Sequence, residues 1–528
     1  MAAAKVTVCP AELPKPHESI EVEVAIIGAG ICGLLGAKHC AKRGLPFIVL
    51  ERGEELGGVW HTLANNHSCL QAYESSYRWD PLYRLERDEF TKPSGLRVLH
   101  NLRKYAFDHS LDRFTRLRTE VLTVRQLPCG SFLTVCKHLG TGHVTHIRSA
   151  FLLVTPGILA SQFTAEERGV EGVHSFKGVF TYAGRKDGVD CAAGPADVEG
   201  KEVVIMGTGA FALEAAEVAA RRGAKHVTLI SRPRTRWVIP FSRQFTCTLL
   251  SNPMPLVPWC LKARITQWWL RKFWFEPAGL GHMVPTGPLQ EQDWGGQCSD
   301  GLFRLAAGGR LSVVVDRVER LEGYDVVLEK GGRRRADMFV CAAGCRYNLQ
   351  PSFLSELGVG FHTLHSHCFM GPNPRIGTAS DFVFAYVPLG PQKQLEMFFH
   401  AVDLIRQGRE EELLKAMQPT DLGAVSGAST HIGGRMASHH TWFAYRHWWS
   451  TQSIASEERL DSYLSIMSAG KPAGTRAIMR LVYEASRYLT TAGLLFKSLK
   501  ELRRYPVFGK EGGQDHWQPR PALVRCGK

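Results

Sequence analysis

The chain has 528 residues, which is long for one hydrophobic core and predicts two or three domains. Hydrophobic residues make up 44% of the chain and charged residues 22%, an ordinary globular composition that argues against disorder over most of its length. The formal net charge of +14 suits an enzyme that gathers phosphate-bearing cofactors, and it would also suit contact with an anionic membrane surface.

Residues 1–20 are predicted to be a leader with little regular structure. They include several prolines and no continuous apolar core, so they do not have the pattern of a secretory signal. No later stretch has the pattern of a membrane span, because the longest uncharged run, residues 244–261, contains three prolines.

Residues 21–53 predict a β-strand, a glycine-rich turn, an α-helix and a second strand. The turn carries Gly28, Gly30 and Gly33 in the order GxGxxG. The first glycine permits a tight bend, the second lets a pyrophosphate approach the backbone, and the third lets the helix pack closely on the strand. Glu51 ends the second strand and can accept both hydroxyls of an unphosphorylated adenosine ribose, which favours FAD or NAD over NADP.

The N-terminal position of this fingerprint favours FAD as its nucleotide. Gly58 and Trp60 follow shortly afterwards within the sequence GGVW, where a second glycine turn would bring the backbone close to the cofactor. Arg52, which comes directly after the acidic residue, completes the set of residues predicted to bind FAD.

The chain between the two glycine-rich turns is predicted to contain one helix and three strands. The helix is expected over residues 97–116 and the strands over 120–125, 131–136 and 151–154.

Residues 202–231 repeat the pattern of strand, turn, helix and strand. Here the turn carries Gly207, Gly209 and Ala212, and alanine is tolerated at the third position of the fingerprint. The segment is therefore predicted to be a second dinucleotide-binding unit.

The residues that would read the ribose differ between the two units. Ser231 stands where the first unit has its glutamate, and Arg232 and Arg234 follow. A carboxylate would repel a 2′-phosphate, whereas serine and arginine hydrogen-bond to it and neutralise it. The second nucleotide is therefore predicted to be NADPH; the alternative is that the arginines form only a solvated basic loop.

Two fingerprints with opposite ribose preferences imply one resident and one visiting cofactor, as in a flavoprotein that NADPH reduces. The predicted fold is α/β, with two nested Rossmann-like dinucleotide-binding domains and a mostly helical C-terminal extension. The FAD domain is expected over residues 21–168 and 331–408. The NADP domain is expected as an insertion over residues 169–330, and the extension over residues 409–528.

The 14 cysteines form no CxxC pair, so the usual zinc and thiol-redox motifs are excluded and no metal ion is predicted. Scattered cysteines of this kind are typical of a reduced, cytoplasmic protein. Lys and Arg are spread along the chain without a compact nucleic-acid motif, so nucleic acid is not an expected partner.

Several further motifs carry a family resemblance. Residues 70–81 (LQAYESSYRWDP) follow GGVW, and the segments that end at Gly157 and Gly344 look like two crossings between nucleotide domains. The chain resembles the flavin-containing monooxygenases, part of the class B flavoprotein monooxygenases, from about residue 20 to about residue 400. It looks most similar to the plant and algal branch, and the resemblance places Gly344 among the cofactor-binding residues.

The resemblance implies a reaction with O2 and a small-molecule substrate. NADPH would reduce FAD, O2 would then form a C4a-(hydro)peroxyflavin, and a nucleophilic nitrogen or sulfur would take the distal oxygen. The protein would position the reactants, exclude water and hydrogen-bond to the oxygenated cofactor.

The chain departs from the family pattern at two positions. Tyr182 stands where the family motif FxGxxxH has histidine, and Tyr73 stands where the family has an active-site asparagine. Tyr73, Gln71 and Asn66 are the candidate catalytic residues, because they lie in the segment after the cofactor loop. Tyr73 fits equally well as a packed aromatic residue.

The sequence leaves two alternative functions open, and the departures at Tyr73 and Tyr182 motivate the second of them. A Baeyer–Villiger-type or other NADPH–flavin oxidoreductase or oxidase is one, although the Tyr-Pro-Gly segment after GGxW is absent. A disulfide reductase would need a cysteine pair near residues 60–75, where only Cys69 occurs. A non-catalytic sensor or scaffold that binds FAD and NADP is the alternative from another class.

Two segments, one rich in aromatic residues and one amphipathic, are relevant to whether the protein attaches to a membrane. Residues 259–275 interleave large aromatic with basic side chains, which would suit an interfacial helix, although a helix packed on the NADP domain with its basic residues in solvent is the favoured interpretation. Residues 477–504 predict an amphipathic helix whose apolar face, including Leu481 and Val482, is expected to be buried. The expected location is the cytoplasm, with peripheral attachment to the surface of the endoplasmic reticulum as a further possibility.

Overall fold

The computed structural model of the chain describes residues 14–74, 77–80, 82–186, 189–190, 198–232, 237–244, 246–247, 259–284, 294–380, 389–420 and 457–505.

The described strands are short and most belong to two sheets. In chain order they are β1 (Glu18–Ile27), β2 (Phe47–Leu50), β3 (Thr115–Arg116), β4 (Thr119–Gln126), β5 (Phe132–His138), β6 (Val144–Val154), β7 (Leu159–Gln162), β8 (Val179–Tyr182), β9 (Arg185–Lys186), β10 (Val189–Asp190), β11 (Glu202–Met206), β12 (His226–Ser231), β13 (Trp237–Ile239), β14 (Trp294–Cys298), β15 (Leu311–Val315), β16 (Val318–Glu322), β17 (Asp325–Leu328), β18 (Arg333–Arg335), β19 (Met338–Cys341), β20 (Cys345–Tyr347), β21 (Leu364–His365), β22 (Phe369–Met370) and β23 (Ile376–Thr378).

The described helices follow the glycine-rich turns or lie near the C-terminus. In chain order they are α1 (Ile31–Arg43), α2 (Val59–Thr62), α3 (Gly95–Asp108), α4 (Ala210–Arg221), α5 (Trp259–Leu270), α6 (Gly301–Ala307), α7 (Leu389–Arg406), α8 (Glu410–Ala416), α9 (Glu457–Ser468) and α10 (Thr475–Arg504).

The first unit is built on a nine-stranded sheet. Its centre is the parallel order β23-β6-β1-β2, and the antiparallel strands β4 and β5 extend it from β6. The C-terminal half of β1 and all of β2 are buried, as expected of parallel strands covered on both faces. Strands β4, β5 and β6 confirm the three strands predicted between the glycine-rich turns.

The second unit is a five-stranded parallel sheet in the order β15-β12-β11-β19-β8. The chain leaves the first sheet after β6, forms this second sheet, and returns to the first sheet with β21, β22 and β23. One unit is therefore inserted in the other, which confirms the predicted α/β fold with two nested Rossmann-like units.

Several boundaries differ from the sequence-based ones, because pairing partners far along the chain decide them. Strand β1 begins at Glu18, inside the predicted leader, since it pairs with β6 from that residue onwards. Strand β19 pairs with β11, so the second sheet extends past residue 330 to Cys341. Helix α3 ends at Asp108 rather than at residue 116, and Ser110, just past that end, has a φ of 53°.

The described part of the C-terminal extension is helical and packs on the first unit. Leu460, Tyr463 and Leu464 of α9 belong to the same buried cluster as α7 and the first sheet. The Tyr463 hydroxyl donates a hydrogen bond to Glu396 on α7 at 2.7 Å. None of the helices in the described ranges combines the length and the apolar character needed to cross a bilayer.

The apolar face of α10 is exposed, so the prediction that it is buried is wrong for the members that the structure describes. Leu481 is 72% exposed, and Val482 and Ala485 are exposed as well. The buried side of the helix instead carries Tyr483 and Glu501. Helical spacing identified which side chains share a face of α10, but it could not predict which face packs against the rest of the protein.

Candidate functional site

The first glycine-rich turn is pressed against the end of β6. Gly28 has a φ of 101°, and a Cβ added there would lie 2.2 Å from the carbonyl oxygen of Thr155. The Thr155 hydroxyl donates a hydrogen bond to the carbonyl of Ile27, the residue before Gly28, at 2.9 Å, and this bond helps to hold the turn in place. A Cβ on Gly33 would lie 1.9 Å from the Gly28 carbonyl oxygen, so only glycine lets α1 begin this close to the strand.

A second loop lies against the same turn. The Gly57 N–H donates to the Ala29 carbonyl at 3.2 Å, and a Cβ on Gly58 would lie 3.0 Å from Gly30 Cα. Gly30 begins α1 without a side-chain cap, and the first helical turn has no acidic residue. The helix N-terminus therefore keeps its positive end available for a pyrophosphate.

Backbone N–H groups in and near the first glycine-rich turn hold the Glu51 carboxylate in place. Its two carboxylate oxygens accept hydrogen bonds from the N–H groups of Ala29 and Gly53, both at 2.7 Å. Each oxygen has a second lone pair with which it can accept from a ribose hydroxyl. The carboxylate thus has the fixed orientation that reading an unphosphorylated ribose requires.

The two other residues predicted to bind FAD have surface or aromatic partners. Arg52 is exposed and forms an ion pair with Glu120 at 3.2 Å. Trp60 is half-buried and donates a hydrogen bond from its ring to the Tyr77 hydroxyl at 3.0 Å. Their roles in binding the cofactor stay predictions.

The second glycine-rich turn repeats the construction of the first. Gly207 has a φ of 123°, and a Cβ there would lie 2.5 Å from the Ala342 carbonyl oxygen. A Cβ on Gly209 would meet no atom of the described residues within 4 Å. Gly209 begins α4 without a side-chain cap, and the buried Ala212 takes the third position. Both turns thus fit a dinucleotide pyrophosphate.

The strand end beside the second turn carries no carboxylate. Ser231 is buried at the end of β12, and its hydroxyl lies 3.3 Å from the hydroxyl of Thr208 in the turn. Arg232 follows and is exposed. Arg234 lies outside the described residues, so its contribution stays a prediction.

A further arginine, which the sequence did not indicate, belongs to this surface. The guanidinium of Arg168 donates to the Ala343 carbonyl at 3.1 and 3.2 Å and lies 3.6 Å from the centre of the Phe163 ring. Burial and the nearby charge of Arg232 lower the pKa of Arg168. Gly344 has a φ of 86° and lies beside this guanidinium. No motif marks Arg168, because it comes from the crossing between units.

Residues 65–73, here called the bridging segment, connect the first unit to the second. Asn65 is 4% exposed and its amide donates to the Ala183 carbonyl, just after β8, at 2.9 Å. Arg222, at the end of α4, lies 3.0 Å from the Nε2 of His67. The predicted catalytic residue Asn66 is exposed between them. Asn65 therefore connects the two units through this hydrogen bond.

Both the nitrogen and the oxygen of the Gln71 side-chain amide form hydrogen bonds. Its nitrogen donates to Glu214 Oε1 on α4 at 2.8 Å, and its oxygen accepts from the N–H of Cys298 on β14 at 2.9 Å. Both partners belong to the second unit. A role of Gln71 at the flavin or nicotinamide stays a prediction, and its hydrogen bonds tie the bridging segment to the second unit.

Tyr73 ends the bridging segment in a packed environment. Its side chain is 0% exposed, and its hydroxyl donates to Glu501 Oε1 on α10 at 2.8 Å. Its N–H donates to Gln244 at 3.1 Å, and its ring packs edge-on against Phe90 and Phe241. Burial, together with the Glu501 carboxylate, raises the pKa of Tyr73. Contact of this hydroxyl with a flavin stays a prediction.

Replacing Tyr73 with phenylalanine separates a packing role from a catalytic one. Tyr73→Phe removes one hydrogen bond to a buried carboxylate, and we expect the free energy of unfolding to fall by about 1.5–3 kcal/mol. Urea denaturation followed by tryptophan fluorescence measures this loss. The rate of flavin reduction should stay unchanged; a slower reduction with unaltered stability would instead place the hydroxyl at the cofactor.

Tyr182 occupies the histidine position of the family motif at the end of β8. The strand pairs Tyr182 with Cys341 of β19. Its ring is half-buried and packs edge-on against Phe180, with the ring centres 5.3 Å apart. The residue therefore lies where the second sheet meets the crossing that returns to the first unit.

Comparisons with known proteins agree with this geometry. The sequence model of the flavin-binding monooxygenase-like family matches residues 21–250, which include both glycine-rich turns. FAD-containing monooxygenase EthA of Mycobacterium tuberculosis is 24% identical over 364 residues, covering 62% of this chain and 70% of that protein. The N-oxide-forming dimethylaniline monooxygenase 2 of Oryctolagus cuniculus is 24% identical over 275 residues, covering 47% and 49% of the two chains.

A solved structure shares the architecture. Oxidised steroid monooxygenase bound to NADP superimposes with a TM-score of 0.60 at 15% identity, covering 85% of this chain and 98% of that one. At this identity the similarity concerns the fold. Both dinucleotide-binding turns lie within the part of the chain that matches the model of the flavin-binding monooxygenase-like family.

Proposed function

We propose that the chain is an FAD-dependent, NADPH-consuming monooxygenase that oxygenates a nucleophilic nitrogen or sulfur of a small molecule. The observation that carries the proposal is the difference between two equivalent strand ends. Glu51 directly follows β2 and has a carboxylate held by two backbone N–H groups, whereas Ser231 ends β12 and is followed by Arg232, whose charge acts on Arg168. The first end accepts a bare ribose and the second a phosphorylated one.

The residues of this chain would bind and orient the two cofactors. The turns at Gly28 and Gly207 and the N-termini of α1 and α4 would hold the two pyrophosphates. Bound flavin supplies the redox chemistry, which is acceptance of a hydride and activation of O2. The bridging segment would keep the two units in register and help to exclude water from the space between the nucleotides.

Anaerobic reduction followed by exposure to oxygen tests this function. Purified protein loaded with FAD should be bleached by NADPH much faster than by NADH. In air, NADPH and O2 should then be consumed together with the formation of an N-oxide or S-oxide from an added tertiary amine or thioether.

Other outcomes of the same experiment identify the alternatives. An ester formed from a ketone, with amines and thioethers unchanged, would favour Baeyer–Villiger chemistry. A flavin that NADPH cannot reduce would favour a sensor or scaffold, and a colourless protein that takes up no flavin would contradict the proposal altogether.

We also propose peripheral attachment to a membrane through α5. Leu261, Ile265 and Trp268 follow one another at helical spacing and are exposed, with Trp268 57% exposed. The ring of the exposed Phe273 lies 5.8 Å from the Trp268 ring. Exposed basic side chains flank this face: Arg264, Arg271 and Lys272. An apolar face with aromatic and basic residues suits an anionic lipid interface, and attachment to the endoplasmic reticulum stays a prediction.

Vesicle binding tests the attachment. We expect the protein to bind vesicles of phosphatidylcholine and phosphatidylserine, and Trp268→Ala to lower the affinity roughly tenfold or more, because burying a large apolar side chain contributes about 1.5–3 kcal/mol. Sedimentation with the vesicles measures the binding. Phe107→Ala, which removes an aromatic side chain that is even more exposed from α3, is the control. Equal binding by both variants, or none by the wild type, would contradict the proposal.

A further inference from the structure

Glu214 lies on α4, five residues after Gly209, and faces the bridging segment rather than the solvent. It is 7% exposed. Its Oε1 accepts two hydrogen bonds, from the N–H of Cys69 at 3.0 Å and from the Gln71 amide at 2.8 Å. Since the Gln71 oxygen in turn accepts from the N–H of Cys298, one carboxyl group organises contacts among α4, the bridging segment and β14.

The second carboxyl oxygen of Glu214, Oε2, has a different environment from Oε1. Oε2 is fully buried and has no hydrogen-bond partner within the part of the chain that the structure describes. A buried oxygen without a donor is unfavourable as half of an ionised carboxylate and tolerable as the hydroxyl of a carboxylic acid. The geometry therefore favours the protonated form while the bridging segment is in contact with α4.

The charged and titratable groups around Glu214 act in opposite directions. Burial raises the pKa of Glu214 to about 7, the positive charge of Lys92 acts against this, and Glu217 on the same helix adds to it. The thiols of Cys69 and Cys298, on the bridging segment and β14, are neutral because burial raises the pKa of both. Glu214 thus changes its charge near neutral pH.

We propose that Glu214 is a positioning residue that holds the bridging segment against the helix whose N-terminus would receive the NADPH pyrophosphate. The inference rests on the proposed function and deepens it. Gln71 and Cys69 belong to the segment that leaves the first unit, and α4 belongs to the second. Holding them together fixes the distance across which a hydride passes between the two cofactors.

The contact depends on pH in a defined direction. While the segment is held, the carboxyl pKa is about 7, and once the segment releases, Glu214 meets water and its pKa returns towards 4.5. Proton uptake therefore favours the held state. The stabilisation is complete below pH 4.5 and is lost as the pH rises through about 7.

Two substitutions of Glu214 separate the hydrogen bonds from the charge. Glu214→Gln keeps a carbonyl oxygen that accepts from Cys69 and Gln71 and carries no charge at any pH. Glu214→Ala removes the acceptor. Glu217→Gln is the matched control, because it removes a carboxylate from the same helix, one that accepts from Ser299 instead of the bridging segment.

Hydrogen exchange followed by mass spectrometry tests the inference in the full-length protein with FAD bound and without NADPH. After correction for intrinsic exchange, peptides from residues 65–73 should be better protected at pH 6 than at pH 8 in the wild type and in Glu217→Gln. Glu214→Gln should be protected at both pH values, and Glu214→Ala at neither. Anaerobic reduction by NADPH should show a limiting rate that is lower at pH 8 than at pH 6 in the wild type and is independent of pH in Glu214→Gln.

Protection of residues 65–73 in Glu214→Ala equal to that of the wild type would overturn the inference. So would a pH dependence of protection that persists in Glu214→Gln, which is the variant least expected to disturb folding. A different result would show that the proposed function is wrong while the inference holds. In that case NADPH would not reduce the wild-type flavin, but the exchange pattern of the four proteins would still support the role of Glu214 in holding the segment.

Discussion

Gly28→Ala is expected to give protein that does not retain flavin. The new Cβ would lie 2.2 Å from the Thr155 carbonyl oxygen, a backbone atom whose place is fixed by the pairing of β1 with β6. The φ of 101° adds about 1–3 kcal/mol for a residue with a side chain, and the overpacking adds about 1–3 kcal/mol. The clash with Thr155 is relieved only if the turn moves away from the space where the pyrophosphate would bind.

Gly44→Ala is the matched control for this experiment. Gly44 also has a positive φ, of 65°, but a Cβ there would lie within 4 Å of no atom in the described ranges. We expect Gly44→Ala to be mildly destabilised, by about 1 kcal/mol, and to keep its yellow colour. The ratio of flavin absorbance to protein absorbance after gel filtration measures retention. Equal flavin content in the two variants would show that the first turn does not hold the cofactor.

Arg232→Ala is expected to weaken the preference for NADPH over NADH. A hydrogen bond between charged partners contributes about 1.5–3 kcal/mol, so removal of one guanidinium should lower kcat/KM for NADPH by roughly ten- to a hundredfold. The value for NADH should hardly change, because NADH has no 2′-phosphate. Arg168→Ala should act in the same direction, since Arg168 and Arg232 are close enough for one charge to affect the pKa of the other.

Steady-state oxidation of both nucleotides by the purified variants measures this selectivity. Arg320→Ala is the control, because it removes an exposed arginine of the same unit that pairs with Glu319 on β16. Its kcat/KM for NADPH should match that of the wild type. If Arg232→Ala lost activity with NADH to the same extent as with NADPH, the residue would serve the fold rather than the phosphate.

Local sequence patterns identified the two nucleotide-binding units and predicted different ribose preferences for them. Gly28, Gly30, Gly33 and Glu51 lie within one strand–turn–helix–strand unit, and local order along the chain places them together. The same holds for Gly207 to Ser231. Because each such unit folds in a constant way, the spacing of a few residues was enough to identify the turns, the helix N-termini and the strand ends.

The environment of residues 65–73 was decided only by the tertiary structure. Tyr73 and Glu501 are 428 residues apart in the chain, and Gln71 and Glu214 are 143 apart, so no local spacing indicates either pair. Spacing also could not show that Arg168 lies beside Arg232, or that α10 exposes its apolar face. Periodicity specifies which side chains share a surface, whereas the partner of that surface depends on the packing of distant elements.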